Sequence, residues 1–265
     1  MHARVKRCSA VESRTMPKEC AFCPSRATLT GEHLWSDWIN GVLPKSSYSF
    51  TRKDTPSGKS STWKGENLNL KARVVCGPCN HGWMSDIESN EAKPSLSPLI
   101  RDTSPEILPA RVLISIAIFL LKTAVVADHM RTGGTPFFTA AERYTFRETQ
   151  CIPLGVSMWI GALEDSFRGT FRTAHVVPVA ASENDFGLYV FTFVVGHLAL
   201  QLVGAKWATH NPNRNFLPPI QMESDASFMA QFWPLGGAVK WPPQDFIPVR
   251  FLNDLTDRWR TYNVV

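Results

Sequence analysis

Long apolar runs are scarce in this chain of 265 residues. The longest nearly apolar run spans ten residues, 112–121, and is interrupted by Ser115, whereas a membrane-spanning helix needs roughly 20 apolar residues, so we expect no membrane span. The N-terminus starts with basic residues and no apolar segment follows, which argues against a secretory signal and favours a cytoplasmic protein. Six cysteines are too few for a disulfide scaffold in a chain of this length.

Several catalytic motifs are also missing. The chain has no Gly-rich phosphate loop, no G-x-S-x-G turn and no dinucleotide-binding fingerprint. These absences argue against a P-loop nucleotide hydrolase, an α/β-hydrolase and a dinucleotide-dependent dehydrogenase. With 44% hydrophobic and 19% charged residues, the chain can nevertheless bury a substantial core.

The positive charge is unevenly distributed. Residues 1–80 hold 13 Lys/Arg and 6 Asp/Glu, a net charge of +7, whereas residues 81–265 have a net charge of −2. A basic segment of this kind binds a polyanion by neutralising phosphates, or is simply a solvated surface. The cations that would follow a phosphate backbone are Lys45, Arg52, Lys53, Lys59, Lys64, Lys71 and Arg73.

We expect an α+β protein with two domains. Residues 1–18 form a basic leader and 19–93 a cysteine-bearing module. The prolines in 94–109 predict a linker, and 110–265 are expected to form a second domain with a buried helix and an antiparallel β-sheet.

Local patterns predict individual elements. The polar stretch 44–65 predicts a loop or hairpin, and the alternating stretch 68–75 predicts a strand. Helical spacing predicts a short helix that contains Trp83 and ends before Pro94. In the second domain we expect a helix over 110–130, strands at 156–160 and 171–180, and a hairpin over 189–203 that turns near Gly196 and His197.

Four of the cysteines form two Cys-x-x-Cys pairs, Cys20 with Cys23 and Cys76 with Cys79. Each pair can offer two thiolates to one tetrahedral zinc, and a four-cysteine site leaves no open position for chemistry. We therefore expect one structural Zn²⁺ per chain, because a redox role would not require two pairs 53 residues apart.

A Glu-His pair and an asparagine accompany the cysteines. Glu32 and His33 follow the first pair, and Asn80 directly follows the second. Carboxylate and amide oxygens suit Mg²⁺ or Mn²⁺, and a neutral imidazole suits proton abstraction near neutral pH. Together they fit a one-metal phosphodiesterase site, although Asn80 is also a favoured residue for capping the helix that begins there.

These residues resemble the HNH (ββα-metal) endonucleases, especially members with four zinc cysteines. The resemblance lies in Cys-Ala-Phe-Cys (20–23), Gly-Glu-His-Leu-Trp (31–35) and Val-Val-Cys-Gly-Pro-Cys-Asn-His-Gly-Trp-Met (74–84), and it covers about residues 18–92. It implies a zinc-stapled ββα-metal fold for 19–93, with His33 as general base and with Glu32 and Asn80 as ligands of a catalytic Mg²⁺ or Mn²⁺.

The chain departs from the family pattern at one position and leaves a second one open. The usual acid is Asp, and here it is Glu32, whose side chain is one methylene longer. The middle Asn of the family motif corresponds to either Asn67 or Asn69.

The expected function is metal-dependent hydrolysis of DNA phosphodiester bonds. RNA is also compatible as a substrate, and either a monomer or a homodimer is compatible with the sequence. The alternative is a zinc-knuckle protein that binds nucleic acid without catalysis. A main function in the second domain, with the zinc module only positioning it, has no motif beyond residue 95 in its favour.

Overall fold

A computed structural model describes residues 19–45, 47–54, 59–130, 135–176, 186–207, 227–252 and 254–257. The predicted leader, 1–18, lies outside the described residues. The predicted α+β class is confirmed, because helices and antiparallel strand pairs both contribute extensively to the fold.

The cysteine-bearing module is built on one antiparallel strand pair. Strand β1 (Leu29–His33) pairs with β4 (Lys71–Cys76), so that Leu29 lies opposite Cys76 and His33 opposite Lys71. A β-bulge interrupts the register between Thr30 and Gly31. The pairing brings the start of the module next to the second Cys-x-x-Cys pair, although they are far apart in sequence.

A hairpin is inserted between these two strands. Strands β2 (Tyr48–Asp54) and β3 (Lys59–Gly65) pair antiparallel in uninterrupted register, from Tyr48 opposite Gly65 to Asp54 opposite Lys59. Of the two structures predicted for 44–65, the hairpin is confirmed. The side chain of Asn40 then fixes the chain on its way back to β4, because it bonds both the N–H and the carbonyl oxygen of Leu68.

Helical backbone follows β4 for much longer than predicted. Helix α1 (Gly77–Cys79) is followed by two π-helical segments, Asn80–Met84 and Ile87–Ala92. The second of these leads into helix α2 (Lys93–Arg101). The predicted end before Pro94 is therefore wrong. Pro94 lies in the first turn of α2, where a missing N–H costs no intrahelical bond.

The segment 94–109, predicted to be a linker, is instead part of the fold. It contains α2, whose Leu96, Leu99 and Ile100 are buried, and strand β5 (Glu106–Leu108). Strand β5 pairs with β9 (Val239–Trp241), which lies near the other end of the chain. The prolines predict a linker here, but the apolar residues between them are packed into the core.

Helix α3 (Ala110–Asp128) confirms the predicted buried helix. By length and composition it is the one helix among the described residues that could cross a membrane, and 72% of its most apolar window is buried inside the protein. This burial is typical of a helix at the centre of a core, which is where α3 lies. Helix α4 (Ala140–Thr149) follows and begins with a capping box formed by Thr139 and Glu142.

A three-stranded antiparallel sheet forms the rest of the core. Its strands are β6 (Val156–Val176), β7 (Phe186–Trp207) and β8 (Met229–Trp233), with β6 in the middle. One face packs against α3 and the cysteine-bearing module, and the other is covered by the short helix α5 (Asp254–Asp257) and the residues before it. Both faces of β7 are buried, which explains its nearly continuous apolar sequence.

The predicted turn at Gly196 and His197 is wrong, because both residues lie inside β7. Gly196 has φ +60°, a conformation that favours glycine. A Cβ atom at this position would overlap the carbonyl oxygen of Ile100 at the end of α2. The glycine therefore permits a close approach of two backbones rather than a reversal of the chain. The predicted strand 156–160 and the described part of the predicted strand 171–180 also belong to one strand, β6, which has irregular register between Ala162 and Thr170, and 177–180 lie outside the described residues.

Candidate functional site

The four paired cysteines meet at one point. All four Sγ atoms lie within 4.8 Å of one another, and all four residues are buried. The Sγ atoms of Cys23 and Cys76 are 3.6 Å apart, and those of Cys23 and Cys79 are 3.7 Å apart. Tetrahedral zinc with bonds of about 2.3 Å separates its sulfur ligands by about 3.8 Å. The cluster therefore fits zinc, as the sequence predicted, and its Cys₄ donor set leaves no open coordination position.

Around the sulfurs, backbone hydrogen bonds stabilise thiolates, whereas burial opposes their ionisation. The backbone N–H groups of Phe22 and Cys76 donate to Cys20 Sγ at 3.5 and 3.3 Å. Burial raises the pKa of the Cys79 thiol well above its ordinary value, although the indole of Trp83 opposes this effect. Four buried thiols cannot all ionise without a neutralising charge. A metal ion bound by the four cysteines would supply that charge, and its binding would then contribute to folding.

The second half of the chain supports the first cysteine pair. Phe22 packs edge-on against Trp83 at 5.0 Å between ring centroids and also contacts Phe146 of α4. Arg143, also on α4, donates to the carbonyl oxygen of Ala21 and to that of Phe138. Trp83 thus packs against the core, and the rings that it contacts, Phe22 and Phe146, come from both predicted domains.

Asn80 joins the helical segment to β1. Its Nδ2 donates to Thr30 Oγ1 at 2.9 Å and to the carbonyl oxygen of Gly31 at 3.3 Å. Thr30 Oγ1 in turn donates to the carbonyl oxygen of Val75 on β4. Asn80 therefore does not cap the helix, which begins earlier, with Cys76 as its N-cap. No described residue donates to its Oδ1, which leaves this oxygen available as a ligand.

Consecutive residues on β1 face opposite sides. Glu32 and its partner Ala72 are buried, whereas His33 is half-buried and its partner Lys71 is exposed. Gly31 pairs with Arg73, which is exposed on the same side as Lys71. Since directly opposite residues in an antiparallel pair have Cβ atoms about 4.5–5.5 Å apart, Lys71 is a close neighbour of His33.

Glu32 points into the core and pairs with a lysine that belongs to none of the sequence motifs. Lys122 of α3 donates from Nζ to Glu32 Oε1 at 2.9 Å and also to Glu88. Its side chain is completely buried. Burial alone would lower the pKa of Lys122, but the two carboxylates outweigh it and raise that pKa above the ordinary value. One sequence signal was present, because a lysine in the middle of an apolar helix requires a buried partner.

Of the residues predicted for catalysis, Asn80 contacts β1 at Gly31, immediately before the Glu-His pair. The side chains of Glu32 and His33 lie on opposite faces of β1, because consecutive residues of a strand alternate between faces. The two candidates for the middle asparagine, Asn67 and Asn69, are both exposed. Within the part of the chain that the structure describes, the four cysteines are the one cluster of His, Cys, Asp and Glu side chains with metal-binding spacing.

Comparison with protein-family models, curated proteins and solved structures finds no significant match to this chain.

Proposed function

We propose that this protein is a zinc-stapled HNH-type endonuclease that hydrolyses DNA with the help of Mg²⁺ or Mn²⁺. The observation that carries the proposal is the pair of hydrogen bonds from Asn80 to Thr30 and Gly31. They hold the residue after the second cysteine pair beside the strand that carries His33. The cysteine cluster supports this arrangement, because both of its pairs flank the β1–β4 pairing.

The charges around His33 suit a phosphodiester. Lys71 and Arg73 lie on the His33 side of the strand pair, and both are exposed. Two cations beside a general base can hold a phosphate by charge-assisted hydrogen bonds. Of the seven cations predicted to follow a phosphate backbone, these two have the register that brings them to the candidate site.

In the proposed reaction His33 accepts a proton from water while the water oxygen adds to phosphorus and the bond to the leaving sugar oxygen breaks. Lys71 and Arg73 hold the phosphate and offset its negative charge. Asn80 Oδ1 is the oxygen ligand offered to the divalent cation, which when bound stabilises charge on the phosphate and the leaving oxygen. Glu32 accepts a hydrogen bond from Lys122 through Oε1 and takes no part in these steps.

The test is a cleavage panel with zinc-loaded protein on supercoiled, linear, branched and single-stranded DNA and on RNA. We expect nicking or cutting that needs added Mg²⁺ or Mn²⁺ and falls by about 10²–10⁴-fold in His33→Ala, the usual contribution of a general base. His129→Gln, at the C-terminal end of α3, is the matched histidine control and should cleave like the wild type. Full activity in His33→Ala would remove His33 as the base.

One observation favours a second function. The carboxylate predicted to bind the catalytic cation already has the Lys122 ammonium as its partner, which fits a zinc-knuckle protein that binds nucleic acid without cutting it. Such a protein binds DNA with a steep salt dependence and shows no metal-stimulated cleavage in the same panel.

In either case the reduced thiols of the cysteine cluster agree with a cytoplasmic protein.

A further inference from the structure

A buried charge cluster connects three parts of the chain. Lys122 belongs to α3, Glu32 to β1, and Glu88 to the π-helical segment Ile87–Ala92 that precedes α2. The side chains of Lys122 and Glu32 are 0% and 6% exposed, and that of Glu88 is 19% exposed. Burying these groups costs several kcal/mol per ion unless they are paired. Each carboxylate has Lys122 as its cationic partner.

The cluster lies directly behind the candidate catalytic strand. Glu32 immediately precedes His33, and strand alternation places their side chains on opposite faces of β1. Lys122 holds Glu32 from the buried face, while Asn80 holds the carbonyl oxygen of Gly31. The two residues before His33 are thus fixed by two different elements.

We propose that Lys122 is a positioning residue for His33 and that Glu32 is its tether rather than a ligand of the catalytic cation. Lys122 fixes the Glu32 side chain, and through it the backbone of β1 that presents His33. This proposal rests on the nuclease function proposed above. It reassigns the one acidic residue of the motif and makes α3, outside the resembling segment, part of the catalytic machinery.

Two single variants distinguish a specific role of Glu32 in fixing β1 from a general contribution of the charge cluster to the stability of the fold. Glu32→Gln and Glu88→Gln each remove one carboxylate from Lys122, and each leaves a neutral one-to-one ion pair in the core. Glu32→Gln replaces the charge-assisted hydrogen bond that holds β1 by a weaker neutral one, whereas Glu88→Gln leaves that bond in place, so Glu88→Gln is the matched control. The triple variant Glu32→Gln/Glu88→Gln/Lys122→Met removes all three charges and leaves no unpaired buried ion, so it remains able to fold.

Each variant is measured for zinc content, thermal unfolding, nicking rate, substrate KM, Mg²⁺ dependence and amide hydrogen exchange at Gly31 to His33. We expect all to keep about one zinc per chain, the stoichiometry of a four-thiolate site. Glu88→Gln should nick within about threefold of the wild type. Glu32→Gln and the triple variant should lose at least about tenfold in kcat, because small misplacements of a catalytic group are costly. Their KM and half-saturating Mg²⁺ concentration should stay unchanged.

Three results would overturn the proposal. A large rise in the Mg²⁺ requirement of Glu32→Gln would make Glu32 a metal ligand, and wild-type nicking by the triple variant would make the cluster dispensable. Equal losses in Glu32→Gln and Glu88→Gln would mean general support of the fold.

A wild-type protein that cuts no substrate refutes the nuclease function separately. Hydrogen exchange then decides whether Lys122 fixes β1. Faster exchange at Gly31 to His33 in Glu32→Gln, but not in Glu88→Gln, supports the tether, and unchanged exchange refutes it.

Discussion

Arg143 of α4 donates a hydrogen bond to the carbonyl oxygen of Ala21, inside the turn of the first Cys-x-x-Cys pair. The contact joins residues 122 positions apart and fixes one half of the candidate zinc site from the second half of the chain. We expect Arg143→Met to lower the free energy of unfolding by about 1.5–3 kcal/mol, as for hydrogen bonds to charged groups.

The same substitution should speed the loss of zinc to a chelator, since the Ala21 turn carries two of the four cysteines. Arg147→Met is the control, because Arg147 is exposed on the same helix. If the two variants unfold and release metal alike, the Arg143 contact does not support the cluster.

Purified protein should contain about one zinc per chain, and Cys76→Ser should lose it. Because metal binding contributes directly to folding free energy, we expect Cys76→Ser to cost more than ~4 kcal/mol. Elemental analysis and thermal unfolding measure the two effects. Cys151→Ser, which changes an exposed cysteine outside the cluster, should keep both the metal and the stability. A wild-type protein that stays fully folded without metal would refute the structural role of zinc.

Lys71 and Arg73 should dominate the salt dependence of DNA binding near His33. A plot of the logarithm of the DNA-binding constant against the logarithm of the salt concentration has a negative slope. Removing one cation that neutralises a phosphate of duplex DNA makes this slope shallower by about 0.9, so Lys71→Gln/Arg73→Gln should make it shallower by about 1.8. Binding titrations at several salt concentrations give the slope. The control Lys93→Gln/Arg101→Gln removes the same charge from exposed positions on α2. Equal slopes for both double variants would mean that only net charge matters.

Gly196 should be intolerant of any side chain. Its φ of +60° and the closeness of the Ile100 carbonyl both disfavour a Cβ atom. We expect Gly196→Ala to destabilise the protein by at least ~2 kcal/mol. Gly187→Ala on the same strand, where a Cβ would meet nothing within 4 Å, should stay within about 0.5 kcal/mol of the wild type. Chemical denaturation compares the two, and a similar small effect in both would contradict the close approach.

The parts of the structure that sequence could predict are those governed by local pattern or by strict chemistry. Two Cys-x-x-Cys pairs predicted one metal cluster, and the apolar stretch 110–130 predicted α3, because thiolate spacing and side-chain burial leave few alternatives. The errors occurred where tertiary packing overrode a local signal. Pro94 is accommodated in a first turn, and Gly196 serves a contact with α2 instead of a turn.

The interior of the candidate site was harder to predict. The sequence predicts that Glu32 binds a cation, because of its neighbours in the motif, and the structure adds an ion-pair partner, Lys122, that lies 90 residues further along the chain. The sequence marks Lys122 as a lysine in an apolar helix that needs a buried partner, but it does not indicate that Glu32 is that partner. Only the packing of α3 behind β1 defines the pair.

The ion pair between Glu32 and Lys122 also sets an order for events on the ribosome. Domains generally fold during synthesis from the N-terminal end, and the cysteine cluster is complete once Cys79 has emerged. The carboxylates of Glu32 and Glu88 still lack their counter-charge at that moment, because Lys122 is translated later. The final packing of β1 against Lys122 therefore requires that α3 has left the exit tunnel.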